Sequence, residues 1–302
     1  MTEISARVIE DSLSPSGIRL LSIQLRYPRF IHAEFMTHRV FNRNGRSSRA
    51  VPVLRLLKES IVLPLFWGSN KPGMSAGDEL PTWRKFLAKA IWVGMAHMNK
   101  LGVRALHWVG LHKQWANRPL EWFGSIDVLV TATDWANFLA LRLDNGAQPE
   151  IRVLAQKIRE AMDASTPRLL QPGQWHLPYV SENERATLVI QDQLVLSTAR
   201  CARLTIEPFD GAGDMVAEKA RFDRLVVSQP VHASPAEHQA TPDVPGILSR
   251  NPWKAAHLHG SLRGWIQHRK LLANEAVFDG AYDGDVTIPE AANDPSAPAA
   301  AA

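Results

Sequence analysis

Hydrophobic positions follow a strand period near the N-terminus of this chain and a helical period over most of the remaining sequence. In residues 18–35, IRLLSIQLRYPRFIHAEF, the alternation is β-type until Pro28, which predicts a strand that leads into a short turn. Residues 80–103 repeat apolar positions at helical spacing until Gly102, which predicts a helix. Residues 132–163 predict two further helices, separated at Asn145-Gly146.

The second half of the chain is more interrupted. Proline and glycine break the pattern at residues 165–183, which predicts a linker or lid. Helical periodicity resumes over residues 184–202 and again over residues 214–230. Residues 281–302 are rich in Pro, Ala and Asp and poor in aromatic residues, so we expect them to be disordered.

Composition narrows the class of protein. With 302 residues, 45% of them hydrophobic, the chain can bury a sizeable core. Its 34 basic residues exceed its 30 acidic ones too little for wholesale nucleic-acid binding, although local anion sites fit that charge. A single cysteine, Cys201, excludes an intrachain disulfide framework and a cysteine-rich zinc site. We find no export signal and no run of ~20 apolar residues, and therefore expect a cytoplasmic protein without a membrane span.

The densest group of hydrogen-bond donors lies in residues 37–52, THRVFNRNGRSSRAVP. It contains four arginines, one histidine and two serines, the side chains that hold phosphate or carboxylate oxygens at fixed geometry. Backbone donors near Gly45 could add to such an anion site. The alternative is a solvated basic loop, or one that pairs with nearby carboxylates, and composition leaves both open.

Two further segments carry candidate chemistry. Residues 232–240, HASPAEHQA, place two histidines and a glutamate within seven residues, but they lack the helical ligand pair of a zinc protease, so we expect no metal. A turn in which Ser234 and Glu237 cap a helix, with the imidazoles facing a cleft, or a plain helix N-terminus fits the segment better. In residues 137–152, NFLALRLDNGAQPEIR, Arg142 stands among apolar residues and needs a partner, which could be Asp144, Glu150 or a bound anion.

Taken together, the three segments resemble the signature segments of the flavin-dependent thymidylate synthases. THRVFNRNGRSSR reproduces the His, second Arg, Asn, later Ser and final Arg of the family's arginine motif, and NFLALRLDNGAQPEI agrees with its second helix over nearly the whole length. HASPAEHQA resembles a segment, and ARCARLT at residues 199–205 resembles a strand, that precede the arginine motif in the family but follow it here. The chain is therefore identified as a circularly permuted, divergent member.

The resemblance implies an α+β fold, with an antiparallel or mixed central sheet flanked by long helices, in a single domain of residues 1–280. It implies transfer of a one-carbon unit from methylenetetrahydrofolate to C5 of dUMP, with FAD as the cofactor and NADPH as the reductant. It also implies a homotetramer whose active sites are shared between subunits, and ten tryptophans offer aromatic area for such interfaces.

The resemblance also implies roles for individual residues. Contacts to the flavin are expected at His38, Arg39, Asn137, Thr205, Ser234, Glu237 and His238. Contacts to dUMP are expected at Ser47, Ser48, Arg49, Arg118 and Arg142. The catalytic residues are expected to be Arg142, which would polarise the pyrimidine, and His232, which would lie near the flavin and the folate.

Several positions depart from the family pattern. Thr37 stands where the family has its first arginine, Gly45 replaces an acidic residue, and Gly146 replaces a histidine. The loss of a phosphate-facing arginine removes a bond worth roughly 1.5–3 kcal/mol. Residues 260–270, GSLRGWIQHRK, or Lys113 with Arg118 could supply the missing charge; alternatively, residues 260–270 form a basic amphipathic surface helix.

Two other functions stay open. The altered positions leave room for a related flavoenzyme that modifies another uridine nucleotide. The rival from a different class is a non-catalytic relative that kept the basic cleft and binds nucleotide or nucleic acid. Retention of His38, Arg39 and Arg142 favours catalysis, so a nucleic-acid partner is not expected.

Overall fold

The computed structural model describes residues 2–206, 211, 213–227, 231–246, 252–273 and 275–276, and the predicted disordered tail lies outside them. Strands in this part of the chain are β1 (Ser5–Leu13), β2 (Arg19–Pro28), β3 (Asn42–Gly45), β4 (Ser125–Ala132), β5 (Arg168–Leu169), β6 (Ala240–Pro242) and β7 (Trp265–Gln267). Its α-helices are α1 (His32–Met36), α2 (Val53–Leu56), α3 (Thr82–Trp108), α4 (Lys113–Ala116), α5 (Ala136–Arg142), α6 (Pro149–Asp163), α7 (Glu182–Thr187), α8 (Ile190–Arg203) and α9 (Met215–Phe222).

A five-stranded sheet in the order β3-β4-β2-β1-β5 organises the fold. Strands β1 and β2, β2 and β4, and β3 and β4 pair antiparallel, whereas β5 joins the edge parallel to β1. A second, two-stranded sheet pairs β6 with β7. The predicted α+β class with a mixed central sheet is confirmed.

Both faces of the central sheet are covered, which explains why β2 and β4 bury nearly all their side chains. On one face, Ile23 and Val130 pack against Phe138 of α5 and Leu154 of α6. On the other face, Leu129 packs with Tyr179, Cys201 and Leu204, which brings the end of α8 onto the sheet. Strands buried on two faces read as nearly continuous apolar runs, as in VLV at residues 128–130 of β4.

The predicted helices largely occur where the periodicity placed them. Residues 132–163 form α5 and α6 with the break at Asn145-Gly146, and residues 184–202 form α7 and α8. Helix α3 continues six residues past the expected stop at Gly102, where a Cβ would meet no neighbouring atom, so the glycine only lowers helix propensity there. No helix in the described ranges is long and apolar enough to span a bilayer.

The amphipathic surface helix considered for residues 260–270 is wrong. Trp265 is fully buried in β7, and a 3-10 turn, His268–Leu271, follows it. Because Trp265 packs with Leu20, Leu170 and Leu262, the segment closes a small core instead of lying on the surface.

Residues 165–183, predicted to be a linker or lid, pack on the sheet. They contribute β5, and the backbone N–H of His176 donates to the carbonyl of Ala240 at 2.8 Å. His176, Leu177 and Tyr179 are buried.

A cluster of ion pairs ties α7, α8 and α9 together. Arg200 of α8 donates to both carboxylate oxygens of Glu184, at 2.8 and 2.6 Å, and Arg203 and Arg221 each lie 2.6 Å from the buried carboxylate of Glu218. The hydrogen bonds from Arg200 lower the pKa of Glu184 from 4.5 to about 2.

This depressed pKa predicts an acid-dependent loss of stability. Because folded Glu184 binds its proton only near pH 2, its contribution is complete above pH 4.5 and is lost as the pH falls between these values. Glu184→Gln is expected to weaken that part of the pH dependence of the free energy of unfolding, measured by urea denaturation. Glu160→Gln, which removes an exposed partner of Lys157, is the control and is expected to leave the dependence intact. Identical pH profiles for wild type and Glu184→Gln would contradict the assignment.

Candidate functional site

The first two sequence segments meet beside β3. Arg142, at the end of α5, donates from Nε to Nε2 of His38 at 3.0 Å, and its Nη2 lies 3.5 Å from Oγ1 of Thr37. The His38 ring stands edge-on to Phe138, with ring centroids 4.9 Å apart. Phe138 and Arg142 are one helical turn apart and share the face of α5 that covers His38. A contact between residues 104 positions apart thus joins the two segments.

Electrostatics keep His38 neutral. Burial, followed by the positive charges of Arg142 and Arg43, lowers the pKa of His38. A neutral ring that accepts at Nε2 carries its proton on Nδ1. His38 therefore orients the guanidinium of Arg142 without competing for an anion.

Neither carboxylate considered as a partner for Arg142 pairs with it. Asp144 accepts from the backbone N–H of Gly146 at 2.7 Å, and Glu150 is buried, where it accepts from the backbone N–H of Leu65 at 2.8 Å. Within the described ranges Arg142 makes no ion pair, so part of its guanidinium fork stays available for an anion or a polarised carbonyl.

The third segment packs against the same strand. A 3-10 turn, Ser234–Glu237, contacts β3, and burial raises the pKa of Glu237 while a hydrogen bond from Arg269 opposes that rise. The predicted helix cap at Ser234 is wrong: Ala233 occupies the N-cap position and no side chain caps the turn. Ser234 is exposed, as is His232, so only one imidazole of the segment points inward.

That imidazole, His238, ends a chain of buried hydrogen bonds. His238 Nδ1 lies 2.7 Å from Thr131 Oγ1, Thr131 Oγ1 lies 2.5 Å from Ser22 Oγ, and Ser22 Oγ lies 2.8 Å from His176 Nε2. His176 Nδ1 continues to Ser12 Oγ at 2.8 Å. Burial lowers the pKa of His238 to about 3, so both rings serve as neutral links. His238 Nε2 is buried without a hydrogen-bond partner in the described part of the protein.

Sequence reasoning missed most of this chain of hydrogen bonds. Ser22 and Thr131 lie inside strands that read as apolar, and His176 lies in the stretch taken for a linker. Single hydroxyls within strands carry no spacing signal, and the strand pairing that aligns Ser22 with Thr131 is a tertiary property.

Thr131→Val is expected to lower the free energy of unfolding by about 1–3 kcal/mol. The change keeps the side-chain shape but leaves the buried Nδ1 of His238 without a partner and removes one of the two hydrogen bonds of Ser22 Oγ. Thr133→Val, which loses only an exposed bond to Asp134, is the matched control and is expected to change stability by less than about 0.5 kcal/mol. Equal effects of the two substitutions in denaturant titrations would contradict the structural role of the chain.

The predicted nucleotide contacts at Ser47, Ser48, Arg49 and Arg118 lie beyond the other end of β3. The four residues of β3, at ~3.3 Å each, span roughly 13 Å; His38 precedes the first of them and Ser47 follows the last. Ser48 is buried and donates to Glu121, which Arg118 also contacts at 2.9 Å. Ser47 accepts from the backbone N–H of Arg49 at 3.3 Å, and the Arg49 side chain is exposed. One protomer therefore holds two separate donor groups.

The remaining predicted flavin contacts lie around the end of β3 that is nearest to His38. Arg39 and Asn137 are exposed, and neither side chain has a hydrogen-bond partner within the described residues. Thr205 follows the end of α8, where Asn44 of β3 donates to the carbonyl of Cys201 at 3.4 Å. The segment ARCARLT, likened to a strand, is largely the last turn of this helix. No group of three or more His, Cys, Asp or Glu in the described ranges is arranged to hold a metal ion.

The Arg142–His38 contact makes a prediction about titration. Arg142→Ala removes a positive charge beside the His38 ring and exposes the ring to more water. Because both changes favour the protonated imidazole, the pKa of His38 is expected to rise toward 6.5. Arg142→Lys retains the charge and is expected to cause a smaller rise. The measurement is the NMR shift of the His38 Hε1 proton against pH; an unchanged pKa in Arg142→Ala would show that the contact is not formed in solution.

Comparison with known proteins supports part of the resemblance. The family described as thymidylate synthase complementing protein matches residues 116–168, which contain α5, α6 and Arg142, and this confirms the resemblance over that segment. Among solved structures, the UMP/dUMP methylase PolB from Streptomyces cacaoi bound with 5-Br UMP is 15% identical, with a TM-score of 0.46, and the match covers 54% of this chain and 89% of that one. The structure of the same methylase bound with 5-Br dUMP is 14% identical, with a TM-score of 0.43, and the match covers 54% of this chain and 90% of that one. No curated protein matches the sequence.

Proposed function

We propose that this protein is an enzyme that methylates C5 of a uridine nucleotide, with dUMP as the default substrate. The observation that carries the proposal is the hydrogen bond from Arg142 to His38, which joins the arginine segment to the segment matched by the family model. Arg142 and His38, which only the family resemblance had connected, are thus in contact in the folded chain.

Arg142 is the residue proposed to act on the pyrimidine. Its guanidinium is fixed by neutral His38 at one edge and keeps donors free at the other. Directed at a pyrimidine carbonyl, these donors would stabilise the negative charge that develops there as C5 becomes nucleophilic. No acidic side chain of the described residues neutralises Arg142, so its full positive charge is available to stabilise the negative charge on the pyrimidine carbonyl.

The residues around the His38 end of β3 fit a flavin. They offer exposed donors at Arg39, Asn137 and Ser234, together with the orphaned Nε2 of His238, while the nearby carboxylate of Glu237 is already held by Arg269. We propose that this set, with Thr205 alongside, holds FAD. Bound FAD would supply the hydride that reduces the transferred carbon, with methylenetetrahydrofolate as the carbon donor and NADPH as the reductant. His232, exposed at the edge, would face the folate.

The second donor group, at Ser47 and Arg49, follows the end of β3 that is opposite to the His38 end. We propose that it serves a site on a neighbouring subunit, as the homotetramer implied by the resemblance requires. Ser48 and Arg118 would act indirectly there, because Glu121 already holds both.

Another uridine nucleotide remains the second candidate, for a specific reason. Thr37, which replaces an arginine, donates to the carbonyl of Glu34 at 2.7 Å and so offers no charge. The basic residues considered as replacements are also engaged: Arg263 with Asp134 at 3.0 Å and Lys270 with Glu275 at 2.8 Å. A substrate with altered phosphate recognition would fit this loss.

The test starts from the purified protein. It is expected to show the visible absorption of bound flavin and to oxidise NADPH in the presence of methylenetetrahydrofolate only when dUMP or UMP is added, and titration with each nucleotide ranks the two. Arg142→Ala is expected to retain flavin and lose turnover by about 10²- to 10³-fold. Arg159→Ala, which removes an exposed partner of Asp163 on α6, is the control and is expected to retain turnover.

Two outcomes contradict the proposal. One is a colourless protein without nucleotide-dependent NADPH oxidation. The other is an Arg142→Ala variant whose main defect is a loss of salt-sensitive affinity for nucleic acid, which is the behaviour of a non-catalytic binding protein.

A further inference from the structure

Helix α3 carries an apolar stripe on the side that faces away from the protein. At ~100° per residue, nine positions fall within one face about 100° wide, and all nine are apolar and exposed. This α3 stripe consists of Trp83, Leu87, Ala90, Ile91, Gly94, Met98, Leu101, Ala105 and Trp108. On the opposite side, Ala96 and Val103 are buried against the domain, so the helix is anchored by one face and presents the other.

The exposed apolar area of the α3 stripe is large for a monomeric protein. The stripe's large side chains are 50–86% exposed, from Leu87 at the low end to Trp108 at the high end. If such side chains present roughly 150–250 Å² each, the stripe leaves on the order of 700 Å² of apolar surface in water. That exceeds the ~300–600 Å² of the largest patch on a typical monomer and approaches the ~800 Å² that each partner buries in a standard interface.

Gly94 indicates what covers the stripe. It lies at the centre of the stripe and near the midpoint of α3, where glycine costs ~1 kcal/mol relative to alanine. A Cβ at this position would meet no atom within 4 Å, so the protomer itself does not require a glycine. The missing side chain at the middle of this exposed apolar face leaves room for the close approach of a second helix.

The stripe is complementary to itself when a second copy runs antiparallel. With the two-fold axis at Gly94, each residue below the centre faces the residue equally far above it. Three of the four stripe positions below the centre then face stripe positions of the partner, and Ile91 faces the partner's His97 beside the stripe. Leu87 then lies opposite the partner's Leu101, Ala90 opposite the partner's Met98, and Trp83 opposite the partner's Ala105. Small residues meet large ones in two of the three pairs, which is how ridges of one helix fill the grooves of another.

We infer that two copies of this chain associate through antiparallel packing of the α3 stripe about a two-fold axis at Gly94. The interface is isologous, so the same surface serves both subunits and closes on itself. This inference rests on α3 alone and holds whether or not the chain is catalytic.

The experiment compares masses by sedimentation equilibrium over a range of concentrations of the full chain. Wild type is expected to exceed the 33.6 kDa of one chain. Gly94→Leu fits the open space in the protomer but blocks close approach, and Leu101→Glu places a charge in the stripe; each is expected to raise the dissociation constant at least tenfold. Lys89→Leu, an exposed change on another face of α3, is the control and is expected to keep the wild-type mass. Circular dichroism checks that each variant is folded.

Cross-linking tests the register separately. Because Cys201 is buried, Gly94→Cys adds the one accessible thiol among the described residues, and at a two-fold axis it lies opposite itself. Oxidation is expected to yield covalent dimers of Gly94→Cys and few of Lys89→Cys. A wild type that stays at 33.6 kDa at all concentrations, folded stripe variants that keep the wild-type mass, or equal cross-linking of the two cysteine variants would overturn the inference.

Discussion

The buried chain of hydrogen bonds from Ser12 to His238 is the constraint on which the rest of this structure depends. It crosses three neighbouring strands, β1, β2 and β4, through the hydroxyls of Ser12, Ser22 and Thr131, and it uses both nitrogens of His176. All of these side chains are shielded from water, so a missing link would leave polar atoms unsatisfied in a low-dielectric interior. The strands must therefore keep one register, and the histidines must keep one position each.

The candidate site follows from that constraint. Anchoring His238 to Thr131 fixes the Ser234–Glu237 turn against β3, and β3 in turn begins just after His38. The His38 ring then receives Arg142 from α5, which the core on the opposite face of the sheet holds in place. A rigid sheet, rather than a flexible loop, sets the distances between the groups proposed to bind flavin and pyrimidine.

The order of the segments along the chain matters less than their positions in space. The third segment follows the other two in sequence, contrary to the order in the family that the chain resembles, yet it packs on the same strand as the first. Rearranged order is compatible with a preserved constellation when the connecting segments run over the surface, since catalysis depends on the relative placement of side chains. In this chain, residues 165–183 add strand β5 to the sheet and contain His176, which takes part in the buried chain of hydrogen bonds.

Sequence by itself determined the local elements and the residue types of the site. Periodicity located β2, α3, α5, α6 and α8 because side-chain spacing reports which face of an element is buried. Motif spacing selected His38 and Arg142 individually. Only the tertiary structure decided that these two touch and that Ser48 and Arg118 are held by Glu121. It also decided that Trp265 and His268 are buried in a strand and the turn that follows it. Each of those outcomes depends on strand pairing and packing between residues far apart in the chain, and no local pattern encodes such contacts.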